Sequence, residues 1–106
     1  MPTLYRLTPR ALDDLCEIWE YIAEDNVDAA NRVESAILSA CSSLARHPLI
    51  GSKRSEITPL PARFWAVTRF PNYIVVYRPE TKPLQIITVL HAKRNIKAIL
   101  NEPGIL

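Results

Sequence analysis

Five cationic residues and one histidine in the second half of the chain, Arg63, Arg69, Arg78, His91, Lys93 and Arg94, are the side chains best suited to chemistry. Arg and Lys recognise phosphate or carboxylate groups. A His among cations has its pKa lowered, which is compatible with acid/base work on RNA. Strand alternation puts Arg63, Trp65, Val67 and Arg69 on one side and Phe64, Ala66 and Phe70 on the other. The same rule puts His91 on one side with Ile87 and Val89, with Lys93 and Arg94 at the strand exit. The expectation is that all six gather on or around one small sheet as a target-binding surface. The plainer reading is that His91 satisfies a backbone partner and the Arg residues guard strand edges against aggregation. Trp65, Tyr73 and Tyr77 could stack on bases or fill the core.

Other chemistries lack their residues. Two isolated Gly cannot build a phosphate-cradling loop. No Ser or Cys sits in a nucleophile elbow, and the only His residues are His47 and His91. Asp13, Glu17, Glu20 and Glu24 recur at helical spacing without His companions and read as a solvated face. Cys16 and Cys41 fall on apolar helical stripes and read as small buried thiols. No metal site and no cofactor are expected.

Helices and strands must position these groups. Residues 3–7 alternate as a short strand. Thr8-Pro9 then reads as an N-cap with Pro at the first helical position. Leu12, Leu15, Cys16, Trp19, Ile22 and Ala23 form one helical stripe that ends near Asp25-Asn26, with Asp13, Asp14, Glu17, Glu20 and Glu24 covering much of the remaining surface. Asp28 can cap a second helix with the stripe Ala30, Val33, Ile37, Ala40, Cys41 and Leu44, stopped before Pro48. So short a connection makes an antiparallel αα-hairpin. Residues 48–62 read as a surface loop. Strands follow at 63–70, 73–78 and 85–91, with turns at Pro71-Asn72 and over 79–84, and a short helix over 95–100. The order β-α-α-β-β-β predicts a two-layer α+β domain over residues 1–106, the hairpin packed on a small antiparallel sheet.

Charge divides along the same line. Of 106 residues, 48% are apolar and the formal net charge is +2. Residues 1–45 carry three basic and eight acidic side chains, net −5, and residues 46–106 carry ten basic and three acidic, net +7. That split points to a basic working surface on an acidic scaffold. No apolar run reaches the roughly 20 residues of a membrane span, and MPTLYRLTPR lacks a signal peptide's apolar stretch, so a cytoplasmic protein is expected.

Four motifs in order resemble the RelE/ParE superfamily of bacterial type II toxins, the ParE branch most closely. They are A-L-D-D-L-x-x-I-W-E-Y-I (residues 11–22), His47-Pro48 with Gly51, Arg63-Phe64-Trp65 followed by N-Y-I-V-V-Y-R (72–78), and V-L-H-A-K-R-N (89–95). The resemblance implies the same element order and a toxin held in a hetero-oligomer by a cognate, ParD-like antitoxin whose C-terminal segment wraps it as a helix or strand. Contacts for that antitoxin are expected from Trp19, Tyr21, Trp65, Tyr73 and Tyr77. ParE-type members stabilise the cleaved complex of DNA gyrase without enzymatic action, whereas RelE-type members cleave mRNA on the ribosome. The nuclease branch places a Tyr or His near the C-terminus. This chain has no Phe, Trp or Tyr after Tyr77, which favours gyrase inhibition. A ribonuclease would have to use His91 with Arg63, Arg78 and Arg94, and an inactive antitoxin-binding member is a third reading. The basic exit often ends in Asp in the family and ends in Asn95 here, so a partner for Arg94 is missing.

Overall fold

The computed structural model describes residues 4–105. In chain order they form β1 (Tyr5–Leu7), α1 (Pro9–Ala23), α2 (Val27–Arg46), β2 (Ser52–Lys53), β3 (Arg63–Val67), β4 (Phe70–Arg78), β5 (Leu84–His91) and α3 (Ile96–Leu100). Thr3, the expected first strand residue, lies outside the described residues. The five strands make one sheet in the order β1-β5-β4-β3-β2. β1 runs parallel to β5 at one edge, while β3, β4 and β5 form the expected antiparallel meander.

Local signals explain the helices. The Thr8 hydroxyl accepts from the Ala11 amide at 3.0 Å and Pro9 occupies the first turn. The face of α1 that enters the core is rotated from the predicted stripe: Ala11, Leu15, Ile18 and Ile22 pack inward. Leu12 is half exposed and Cys16 exposed, which corrects the expected burial of that thiol. Asp14 explains the rotation. Its carboxylate accepts from the Thr88 hydroxyl and from the Val89 amide at 3.2 Å, so it points at β5 rather than at solvent.

The second helix starts one cap earlier than predicted. Asn26, not Asp28, accepts from the Ala29 amide at 3.0 Å, and Asp28 instead places its charge in the first turn. All six residues of the predicted α2 stripe are buried. Cys41 among them is fully enclosed, and burial pushes its thiol up to about 12.

Two irregularities rearrange the meander. The β3–β4 turn lies at Thr68-Arg69, because Val67 pairs Phe70, and not at Pro71-Asn72. Pro71 sits next to the hairpin and before the β4–β5 register, which opens at Tyr73–His91, so no ladder pair needs its missing N–H. A bulge at Val76/Tyr77 leaves Ile87 without a partner, since Val76 pairs Thr88 and Tyr77 pairs Ile86. Ile86 and Val89 therefore face the helical hairpin while Ile87 and Leu90 pack on the opposite face, and His91 does not share a side with Ile87. That opposite face carries a smaller core. Phe64, Val76, Ile87 and Leu90 are covered there by Ile57 and Leu60 of the loop and by Ile99 and Leu100 of α3.

The loop of residues 48–62 is thus partly built in. The Tyr77 hydroxyl donates to the Pro48 carbonyl at 2.7 Å and accepts from the Gly51 amide at 2.9 Å. Gly51 is required by this close approach: a Cβ there would lie 2.4 Å from the Tyr77 oxygen.

Candidate functional site

The six predicted target-binding residues occupy three places, not one. Arg63 and Arg78 sit at the loop end of the sheet, where Arg63 pairs Tyr77. Arg63 Nη1 donates to the carbonyls of Gly51 at 2.7 Å and Leu49 at 3.2 Å, so its guanidinium closes the loop. Its Nε is buried without a hydrogen-bond partner. Arg78 donates from Nε to Glu80 at 2.8 Å and pairs the same carboxylate through Nη2 at 2.7 Å. Arg69 lies in the hairpin turn at the other end and lines a groove between α2 and β3. His91, Lys93 and Arg94 close a different cavity between α1 and the ends of β4 and β5. Arg78 lies five positions along β4 from Tyr73, which is opposite His91, about 16 Å at strand rise. The alternating pattern missed this because it treats residues on one side of a sheet as neighbours, while ligand contact needs them at one end.

The cavity of His91, Lys93 and Arg94 encloses about 530 Å³. Its α1 wall is Asp14, Glu17, Ile18 and Tyr21, and its sheet wall is Tyr73, Val89 and His91. The Tyr73 and His91 rings meet edge to face, with centroids 5.3 Å apart and planes at 86°. Burial, reinforced by the nearby Tyr21, holds the Tyr73 hydroxyl above its usual pKa. Tyr21 itself is 76% exposed. Lys93 and Arg94 are exposed and take part in no ion pair among the described residues. The side chain that Asp would supply in place of Asn95 is used differently: Asn95 accepts from the Ala98 amide at 3.1 Å and caps α3.

His91 is committed within this turn. Its Nδ1 accepts from the Lys93 amide at 3.1 Å. With Nδ1 engaged by a backbone amide, that nitrogen is not free to meet a substrate. Of the other members of the ribonuclease set, Arg94 lines the same cavity, while Arg63 and Arg78 are a sheet's length away.

The five residues expected to contact an antitoxin also separate. Tyr77 is fully enclosed and offers no surface to a partner, which removes it from that set. Trp19 is half-buried and donates from Nε1 to Asn31 at 2.9 Å, tying α1 to α2. Tyr21 and Tyr73 line the cationic cavity, and Trp65 lines the α2–β3 groove. That groove was missed from the sequence, although Ser35, Ser39 and Ser43 recur at i, i+4 and i+8 on the side of α2 next to its buried stripe. Among the described residues, no three His, Cys, Asp or Glu side chains stand together as a metal site, and no helix is long and apolar enough to cross a membrane.

Comparison with known proteins supplies the family. Residues 5–96 match the family described as ParE toxin of type II toxin-antitoxin system, parDE. A curated protein of Sinorhizobium fredii (strain NBRC 101917 / NGR234), named "Putative toxin Y4kP", is 38% identical over 96 residues, covering 90% of this chain and 94% of that protein. The fold is similar to a chain from the solved structure titled "Chromosomal ParDE TA system from P. aeruginosa", with a TM-score of 0.68 over 82% of this chain and 92% of that one, at 20% identity.

Proposed function

The chain belongs to the ParE toxin family of type II toxin–antitoxin systems, and on that premise we propose that it inhibits DNA gyrase and is silenced by a cognate antitoxin. Residues 1–106 act in this proposal as one toxin domain, in the cytoplasm where such a target resides. The observation that carries the target half is the exposed Lys93-Arg94 pair beside the Tyr21–Tyr73–His91 cavity. These are the unpaired cations best placed to meet an acidic or phosphate-bearing target, since Arg63 and Arg78 are engaged within the chain.

The same geometry speaks for inhibition rather than mRNA cleavage. A ribonuclease needs a base within reach of the 2′-hydroxyl and cations around the scissile phosphate. Here the His91 acceptor is occupied, and of the three arginines of that set only Arg94 stands beside it, Arg63 and Arg78 being at the other end of the sheet. The test is a supercoiling assay with purified gyrase alongside a ribosome-dependent mRNA cleavage assay. The proposal expects gyrase to stall at micromolar toxin and mRNA to remain intact. Cleavage that disappears in His91→Ala would install the ribonuclease reading in its place. Normal growth on expression without antitoxin would indicate an inactive antitoxin-binding member.

A further inference from the structure

The cavity between α1 and the ends of β4 and β5 holds more than two cations, and its parts stand in a fixed order. The Thr8 hydroxyl donates to the Ile87 carbonyl at 2.7 Å, and Asp14 meets β5 further along, at the Thr88 hydroxyl and the Val89 amide. The two elements therefore run on together toward Tyr21 and His91. The Asp14 carboxylate is used up by β5. Glu17 follows it by three residues and Tyr21 follows Glu17 by four, so both reach the cavity from one side of α1. Glu17 is exposed and takes part in no ion pair among the described residues. Beyond it stand the rings of Tyr21, Tyr73 and His91, and at the strand exit Lys93 and Arg94. Along the cavity the order is carboxylate, aromatic rings, cations.

Two observations specify a ligand. The first is the open aromatic face beside the cations. Tyr21 is the most exposed large apolar side chain among the described residues. The turn carrying the cations is held in place, because the Arg94 amide donates to the His91 carbonyl at 2.9 Å and the Lys93 amide to His91 Nδ1 at 3.1 Å. A ring that can stack on a base, next to cations that can meet a phosphate, is the pairing by which proteins hold unpaired nucleotides. The second observation is Glu17. A bare phosphate or an acidic peptide would satisfy Lys93 and Arg94, but it would leave the rings idle and be repelled by this carboxylate. A nucleotide uses all three parts, since a glutamate accepts from the exocyclic amine of cytosine and adenine carries such an amine too. It also presents amine edge, ring and phosphate in the same order as the cavity. The enclosed volume of about 530 Å³ falls within the range of pockets for a ligand of that size, roughly 300–1,000 Å³.

We propose that this cavity holds one nucleotide unit with an amine-bearing base, the base on Tyr21 and Tyr73, its amine on Glu17, and its phosphate on Lys93 and Arg94. The proposal rests on the target reading above and names the chemistry met there, whether the unit belongs to a single DNA strand or is a free nucleotide. Thymine presents a carbonyl oxygen where cytosine presents its amine, so Glu17 discriminates against it.

The experiment is fluorescence anisotropy of the full chain with labelled single-stranded oligonucleotides, one of deoxycytidine alone and one of thymidine alone. The cytosine strand should bind about tenfold or more tightly than the thymine strand. Tyr21→Ala and Lys93→Ala/Arg94→Ala should each weaken its binding by about tenfold or more, while Lys82→Ala, in the turn at the other end of β5, leaves it unchanged. Glu17→Gln should shrink the cytosine preference to about threefold or less, because an amide both donates and accepts, and a merely structural role would not move that ratio. All the substituted side chains are exposed, so circular dichroism should match wild type throughout. Displacement of the strand by deoxycytidine monophosphate at matching affinity makes the ligand a free nucleotide, and failure to compete makes it the strand; both uphold the site. Equal affinity for the two strands, or wild-type affinity in Tyr21→Ala and the double variant, overturns it. In a parallel supercoiling assay, inhibition by a chain that binds no nucleotide overturns the nucleotide site and leaves the target reading standing. Nucleotide binding without inhibition overturns the target reading and leaves the site.

Discussion

The two ends of the sheet carry similar residues and use them in opposite ways. At the loop end, Arg63 and Tyr77 are both consumed by backbone groups of residues 48–51, and Arg78 by Glu80. At the exit end, Lys93 and Arg94 stand beside two tyrosines and a histidine and take part in no ion pair among the described residues. A count of basic residues treats the ends as equal. Their hydrogen bonds do not, and the difference separates a structural clamp from a surface available to a target.

That comparison breaks most readily at the clamp. Tyr77→Ala should cost about 3–5 kcal/mol by emptying an enclosed aromatic site and releasing the loop, read by chemical denaturation. Gly51→Ala should cost about 1–3 kcal/mol, because its Cβ meets the Tyr77 oxygen and the loop must shift. Tyr77→Phe should cost a similar amount, about 1–3 kcal/mol, by leaving the Gly51 amide and Pro48 carbonyl without their partner. Lys93→Ala and Arg94→Ala should move stability by about 0.5 kcal/mol or less while removing toxicity. A clamp variant that folds normally, or a Lys93 or Arg94 variant that unfolds, would erase the distinction.

The two thiols sharpen the same contrast between enclosed and open side chains. Native Cys16 should react quickly with a thiol reagent, and Cys41 only through unfolding. The Cys41 thiol is held up to about 12 in the fold, above an unfolded value near 9. Its contribution is therefore complete below about pH 9, and above that stability declines by about 1.4 kcal/mol per pH unit until the folded pKa is reached. Cys41→Ala should flatten this alkaline slope in denaturation curves, and Cys16→Ala should leave it unchanged.

Much of this architecture is legible in the residues. The α2 stripe, the Thr8 cap and the strands around residues 73–78 and 85–91 each follow from local periodicity or capping chemistry, and the structure places them as read. What failed was whatever depended on a partner far along the chain. Asp14 reads as solvent-facing until Thr88 is beside it, 74 residues later, and that contact turns α1 and exposes Cys16. Pro71 looks like a turn residue until the register shows that no ladder pair falls on it. The bulge opposite Ile87 reverses the alternation that would put Ile87 with His91. The site suffered from the same limit: residue type and strand parity identified the cations, but which end of β4 each one occupies is set by pairing.

The central claim is that the exit end of the sheet meets gyrase and the loop end does not. One supercoiling titration comparing wild type, Lys93→Ala/Arg94→Ala and Arg78→Ala at equal folded concentration tests it directly. The expected result is inhibition by wild type and Arg78→Ala, with a loss of about tenfold or more in the double variant, the scale of two charge-assisted contacts. Equal inhibition by the double variant, or none by wild type, would contradict it.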